Sequence, residues 1–362
     1  MLLAATQWSE AIWDAAETAG PAKLDEAEIL RALDLAYRPV FVCGVHRSGT
    51  TLVRDLLDSH PALTVLPSEG TFFTNFERHL QRMGREDWPR FLGCEWLRRL
   101  ANPIHQHPYW LLGRSSQENS PYLTFASALL AWWPLAREAL GHNVSSWPLV
   151  AVALAYAHST GAMSSSSGAQ RWVEKTPTNE RFLGRLLAQF PQAKIIHLIR
   201  HPYAVYASHK QAARDAGERL RTARRILHDL DQSYRIAAEQ SRSDASERYL
   251  LIRYEDLIEN VHDTADRLAA FLRIEPLPIL MRPTAAGLAT ASNSSFVMDG
   301  EPGRVDSAAH RRWPDVLTRS ERERLTAVTG DAAVALGYDL TPVGAWRARL
   351  LRAAAPITSR FA

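Results

Sequence analysis

The chain has 362 residues, 46% of them hydrophobic and 22% charged, with a formal net charge of +3, an ordinary globular composition that suffices for one large α/β domain carrying a helical insertion. So small a net charge gives no argument for nucleic acid, while a sequence pI near 8.9 suits a locally basic pocket for an anion. Two cysteines, Cys43 and Cys94, exclude a disulfide framework or a Cys-rich metal site, and no run approaches the roughly 18 apolar residues of a membrane span.

Met1 to Gly20 carries Glu10, Asp14 and Glu17 and lacks a basic start before an apolar core, so it does not read as a signal peptide. The cysteine usage makes a reducing cytoplasm the expected compartment. Leu24 to Tyr37, with acidic residues early, reads as an amphipathic helix packing on a sheet edge. From Pro39 to Val45 the chain is apolar and β-branched; His46-Arg47-Ser48-Gly49-Thr50-Thr51 follows, and Leu52, Val53, Leu56 and Leu57 recur at helical spacing. Strand, tight loop and helix in that order aim free N–H groups and the positive helix end at one point, which suits phosphate or sulfate. The spacing from Gly44 to Gly49 nearly satisfies G-x-x-x-x-G-K-[ST], but Thr50 stands at the lysine position. A kinase or ATPase needs that lysine on the β/γ phosphates, so its absence counts against both. Arg47 brings the charge instead, and a guanidinium can grip two oxygens of a tetrahedral anion.

The segment Arg47-Ser48-Gly49-Thr50-Thr51, with Leu52 behind it, resembles the 5′-phosphosulfate loop of sulfotransferases that use 3′-phosphoadenylyl sulfate (PAPS). It is most similar to the branch holding the tyrosylprotein sulfotransferases and bacterial sulfotransferase family proteins. That family usually has Pro where this chain has His46, so the approach to the loop is shaped differently. The resemblance implies a three-layer α/β/α fold with a central, mostly parallel sheet of the P-loop NTPase-like type. Secretory-pathway relatives normally carry a membrane anchor; without such a run, the expectation is a cytoplasmic, bacterial enzyme.

The helix from Thr51 is expected to end near His60-Pro61, because proline disfavours helix in the residue before it. Thr64 to Gly70 reads as a short strand running into a loop, with Glu69 at the strand's carboxyl end, where open α/β sheets place ligands. A carboxylate or histidine in reach of an acceptor hydroxyl can take its proton. The resemblance implies Glu69 as that general base, with His60 and His79 as substitutes; a solvated loop carboxylate is the plainer alternative.

From Phe72 to Met163, Trp88, Trp96, Trp110, Trp132, Trp133 and Trp147 are interleaved with Pro103, Pro108, Pro121, Pro134 and Pro148. Several short helices are expected, forming an insertion over residues 72–168 that ends in the Ser/Gly linker 164–168. Its tryptophans either pack or line an acceptor cleft, since aromatic faces with a polar edge suit sugars and phenols.

Arg171 to Lys175, with Pro177 and a helix start near Thr178, repeats the strand-loop-helix pattern and puts Lys175 at the same sheet edge as Arg47. Glu174-Lys175-Thr176-Pro177 looks like a recurrent motif of the same sulfotransferase branch. It implies a lysine touching the transferring sulfonate and its bridging oxygen, where a fixed ammonium favours the transition state over the ground state. Ile195 to Ile199 is a near-continuous apolar run, as in a central parallel strand, ending in Arg200-His201-Pro202 with a helix through Tyr206 and Ser208. The resemblance assigns Arg200 and Ser208 to the 3′-phosphate of PAPS; His201 stands where relatives often have Asp.

Arg214 to Gln240 reads as one long polar helix with a solvated face and no chemistry. Tyr249 to Tyr254 reads as another buried strand, followed by helix to Leu272. Tyr254 either lies near the adenine, as the resemblance implies, or fills the core. Within residues 276–320, Asn293 to Phe296, Gly303-Arg304 and Arg311-Arg312-Trp313 resemble the loop that folds basic residues over the cofactor phosphates, with Arg312 as the matching position. Ser320 and Glu323 have capping-box spacing, and Trp346 to Arg360 reads as a solvated terminal helix.

Taken together, the resemblance covers about Val40 to Thr71 and Arg171 to Leu272. It implies one sulfotransferase domain over 1–362, with PAPS as cosubstrate, 3′-phosphoadenosine 5′-phosphate (PAP) as product and no metal. The acceptor is expected to be a hydroxylated small molecule, glycan or phenol; a homodimer is left open. Two rivals are a P-loop-type small-molecule kinase and a catalytically silent PAP-binding protein.

Overall fold

The computed structural model describes residues 2–101, 120–141, 144–164, 168–217, 223–242, 247–290, 301–306, 313 and 316–353. Helices α1 (Leu2–Ala19) and α2 (Glu26–Ala36) precede β1 (Pro39–Cys43), α3 (Thr50–Leu57) and β2 (Leu63–Val65). A π-helical turn at Phe72–Phe76, α4 (Glu77–Leu80), α5 (Trp88–Ala101), α6 (Ser120–Leu140) and α7 (Trp147–Ser159) lead to β3 (Arg171–Lys175). Then come α8 (Leu183–Gln189), β4 (Lys194–Ile199), α9 (Pro202–Asp215), α10 (Ala223–Gln240), β5 (Tyr249–Arg253), α11 (Tyr254–Glu259) and α12 (Val261–Leu272). A hairpin of β6 (Thr284–Ala285) and β7 (Leu288–Ala289), α13 (Arg319–Ala335) and α14 (Ala345–Ala353) complete the described elements.

The sheet order is β2-β3-β1-β4-β5, and every pairing in it is parallel. Strands of such a sheet must be apolar on both faces, and alternate residues here serve opposite layers. Phe41, Cys43, Trp172 and Ile195 face a core shared with α1, α2 and α5 to α7. Val40, Val42, Val173, Ile196, Leu198 and Ile252 face the core under α3 and α12. Helices on both faces of one parallel sheet make this a three-layer α/β/α fold. A third cluster ties Ile199 to α9, α10 and α13 through Val205, Leu230, Tyr234 and Leu325.

Several expectations need correcting. α2, capped by Asp25 accepting the Glu28 N–H at 2.7 Å, lies over β3 and not at an edge: Trp172 Nε1 of that interior strand donates to its Ala36 carbonyl at 3.4 Å. The segment after Phe72 is not made only of short helices, since α6 runs for 21 residues through an internal Pro134. The polar stretch from Arg214 is two elements: Arg214 lies in the last turn of α9, which ends at Asp215, and α10 begins at Ala223 and buries Ile226, Leu227, Leu230 and Tyr234 against the body. β5 is an edge strand and only partly buried. The last capping box is made by Thr318 and Glu321, two residues before the predicted Ser320 and Glu323. Glu323 instead pairs with Arg319 at 3.1 Å and Arg347 at 2.6 Å, fixing α14 to α13.

Candidate active site

Three loops leave the carboxyl edge of the sheet, after β1, β2 and β3, and each carries one non-glycine residue with positive φ: Arg47 at 71°, Thr71 at 49° and Thr178 at 68°. Residues held in the left-handed region cost conformational energy and concentrate at binding sites. The first loop wraps the start of α3, so the N–H groups of its first turn and the positive end of its dipole face a cavity of about 250 Å³. Arg47, Gly49, Thr50 and Thr51 line that cavity. Gly49 has φ 101°, and a Cβ there would lie 2.4 Å from the Tyr254 ring, so only glycine lets the loop and the ring meet.

Lys175 comes from the end of β3 and Glu69 from the loop after β2, and both reach this cavity. Lys175 Nζ donates to Glu69 Oε1 at 2.6 Å, with the lysine buried and the carboxylate 35% exposed. Burial pushes the Glu69 carboxyl up, but the Lys175 ammonium outweighs it and holds the group below its usual range, helped by His46 and Arg99. Burial also lowers Lys175, against the opposing pull of Glu69.

At the other end stand Arg200, Ser208 and Tyr254. Arg200 leaves the end of β4, donates through Nη1 to the Arg47 carbonyl at 3.1 Å and lies 4.3 Å over the Tyr254 ring. Behind it, the Tyr234 hydroxyl from α10 donates to the Arg200 carbonyl, so the helix expected to have no chemistry buttresses this residue. Nε and Nη2 of Arg200 are buried and have no hydrogen-bond partner among the described residues. A buried guanidinium with two unused donors fits a polyvalent anion such as a phosphate.

Nine of the eleven residues singled out in the sequence therefore line one cavity: Arg47, Gly49, Thr50, Thr51, Glu69, Lys175, Arg200, Ser208 and Tyr254. Ser48 does not. It is buried, its hydroxyl donates to the Val45 carbonyl at 2.7 Å and its N–H to the same oxygen at 3.1 Å, so it shapes the loop from behind. Arg312 lies outside the described residues, as do Trp110 and Asn293 to Phe296. Neither substitute base is at the site. His60 accepts the Ala62 N–H at Nδ1 and reaches the Glu275 carbonyl through Nε2, while His79 is exposed beside Phe91. None of the described tryptophans lines the cavity: Trp96 and Trp132 are core, and Trp88, Trp133 and Trp147 pack on it.

The sequence reading missed His46 and Asp55 as site residues. His46 stood out only as a departure from Pro, yet it lines the cavity near Glu69, its pKa lowered by burial. Asp55 sits one turn beyond Thr51 on α3, a spacing that puts it on the same helix face, and pairs with Arg54.

A parallel sheet whose carboxyl edge brings together a tight loop at a helix start, a lysine–carboxylate pair and an arginine with two unpartnered nitrogens places this chain among α/β proteins with a cationic cavity at that edge. A family model described as the sulfotransferase family matches residues 39–278, and the chain belongs to that family. Nodulation protein NoeE of Sinorhizobium fredii is 25% identical over 347 residues, covering 89% of this chain and 71% of that protein. Solved structures similar to the chain include the sulfotransferase domain of the Synechococcus PCC 7002 olefin synthase, 22% identical with a TM-score of 0.48 over 84% of this chain and 96% of that one. The sulfotransferase domain of the curacin biosynthetic pathway is 20% identical, with a TM-score of 0.47 over 83% and 98%. Family membership makes sulfonyl transfer the reaction class.

Proposed function

We propose that this chain transfers the sulfonyl group of PAPS to a hydroxyl of an acceptor, with Glu69 as general base. The observation that carries the reading is the convergence on one cavity of the anion loop, the Lys175–Glu69 pair and Arg200 with its two unpartnered nitrogens. Bound there, PAPS would supply an electrophilic sulfonyl group on a phosphate leaving group.

Arg47 and the first-turn N–H groups at Thr50 and Thr51 hold the 5′-phosphosulfate, while Arg200 and Ser208 take the 3′-phosphate and Tyr254 lies by the adenine. Glu69, ionised because Lys175 stabilises its charge, accepts the hydroxyl proton of the acceptor as that oxygen attacks. Lys175 gives up its contact with Glu69 as the carboxylate is protonated and offsets the charge appearing on the bridging oxygen, a stabilisation stronger in the transition state. Residues 72–168 and 276–320 belong to the same reading, the first as a helical insertion beside the acceptor and the second over the cofactor phosphates. The acceptor class is a hydroxylated carbohydrate, phenol or secondary metabolite, and a homodimer is compatible.

The test is transfer of labelled sulfonate from PAPS to a panel of hydroxylated acceptors. Wild type labels an acceptor; Glu69→Gln lowers kcat by about 10²- to 10⁴-fold and leaves PAP affinity unchanged. PAP binding with no transfer to any acceptor would favour a silent binding protein instead.

A further inference from the structure

We propose that Glu174, which does not reach the cavity, is the positioning residue that sets the Glu69 carboxylate against Lys175. The inference rests on the reading of Glu69 as the base. Glu174 precedes Lys175 on β3, and strand alternation sends its side chain to the opposite face, where it is fully buried. There it accepts the Gly70 N–H at 2.9 Å, the Asn179 Nδ2 at 3.0 Å and the Thr176 hydroxyl. The Thr176 hydroxyl in turn accepts the Thr71 N–H at 2.8 Å.

The two backbone N–H groups that follow Glu69 thus both end on the Glu174–Thr176 pair. From the other side Arg99 of α5 donates to the Glu69 carbonyl and, at 3.0 Å, to the Thr71 hydroxyl. The two peptide groups that follow Glu69 are fixed, the first at both its carbonyl and its N–H, although the segment is a loop that ends in the left-handed residue Thr71. The approach is close enough to demand glycine: a Cβ on Gly70 would lie 2.5 Å from Glu174 Oε1. A buried carboxyl costs free energy unless its bonds are made, and this one spends them on the loop that carries the base.

The geometry also says which substitution is tolerated. Glutamine keeps an oxygen for Gly70 and Thr176 but turns an amide donor toward Asn179, whose Oδ1 has no hydrogen-bond partner among the described residues. A rotation of the Asn179 amide presents that oxygen, so the network closes again. Alanine leaves the Gly70 N–H without its acceptor and releases the Thr176 hydroxyl on which the Thr71 N–H ends, so both loop amides are loosened.

The experiment compares Glu174→Gln, Glu174→Ala and Thr176→Val in two readouts on the full chain. Amide hydrogen exchange of the ligand-free protein should show protection at Gly70 and Thr71 kept in Glu174→Gln and lost at those amides, with the sheet unaffected, in Glu174→Ala. In the sulfonate-transfer assay Glu174→Ala should lose about 30- to 100-fold in kcat while the KM for PAPS and the affinity for PAP stay within about twofold, and Glu174→Gln should remain within about threefold of wild type. Thr176→Val, a milder change, should expose Thr71 alone.

Unchanged exchange at Gly70 and Thr71 in Glu174→Ala overturns the proposal, as does a loss of PAP affinity that matches the loss of kcat. Glu69→Gln is assayed alongside: full transfer in that variant would retire Glu69 as the base, whereas the exchange readout decides separately whether Glu174 holds the loop.

Discussion

In the proposed reaction Glu69 is the residue on which the chemistry turns, and its environment makes a prediction about pH. With Lys175 at 2.6 Å its pKa lies below the ordinary 4.5, so the carboxylate is the populated form at neutral pH and throughout the weakly acidic range. His46, the other proton acceptor beside it, is also lowered, from 6.5, because burial disfavours its charged form. In the Glu174→Gln variant, which removes a neighbouring carboxyl that burial raises to about 7, the profile of kcat/KM should therefore be flat from pH 7 down to 6, with any acidic limb lower still. A limb centred between 6 and 7 in that variant would point to a histidine base in place of Glu69. At this scale the sequence was informative for residues inside local motifs. Arg47, Lys175 and Arg200 each end or follow an apolar run, and the end of a parallel strand fixes where a side chain emerges. His60 was misjudged because one of its two ring contacts, to the Glu275 carbonyl, comes from a segment 215 residues away, while the other, to Ala62, is local.

Among the elements, α13 shows how far local pattern carries. Thr318 and Glu321 make the capping box, although Ser320 and Glu323 have the same spacing. Thr318→Ala should cost about 1 kcal/mol in a denaturant titration and Ser320→Ala less than about 0.5 kcal/mol; the reverse order would restore the box to Ser320. Periodicity finds such a helix but not its first residue, since the competing start differs by only two positions. β4 and its neighbours offer a second test through His197, which is fully buried between the Tyr249 hydroxyl at 2.6 Å and Ser233 Oγ at 2.8 Å.

Burial lowers the His197 pKa from 6.5 to about 3. Between those values the unfolded chain binds a proton that the folded one does not, so this residue makes stability fall as pH drops. Stability differences between wild type and His197→Gln, measured from pH 6.5 to 4.5, should shift against wild type by on the order of 1 kcal/mol per pH unit. A pH-independent difference would mean that His197 is charged in the folded state. Neither this bridge nor the role of α10 behind Arg200 was legible, because both depend on which elements the fold makes neighbours.

For the whole molecule, the strand-loop-helix repeats were enough to read an α/β fold and the edge of the sheet that carries the candidate site, while the three layers were implied by the family resemblance. Of the two helices before β1 only α2 was read, and the helices between β2 and β3 were expected without the length of α6. α1 went unread because its helical character is decided by packing: Trp13 is fully buried against Gly93, where a Cβ would lie 2.0 Å from the ring. The tryptophans between β2 and β3 admitted two fates in the sequence, and the five described ones belong to the core or pack on it. Among the described residues no helix is long and apolar enough to cross a membrane. What joins these scales is the claim that one cavity holds an adenine nucleotide through its 3′-phosphate as well as its 5′-end. Calorimetric titration of PAP and of ADP into wild type and Arg200→Ala tests it most directly. Wild type should bind PAP at least about tenfold more tightly than ADP, and Arg200→Ala should lose that preference, as expected for a charge-assisted contact of about 1.5–3 kcal/mol. Equal or tighter binding of ADP by wild type, or a preference for PAP that survives the loss of Arg200, would contradict the account.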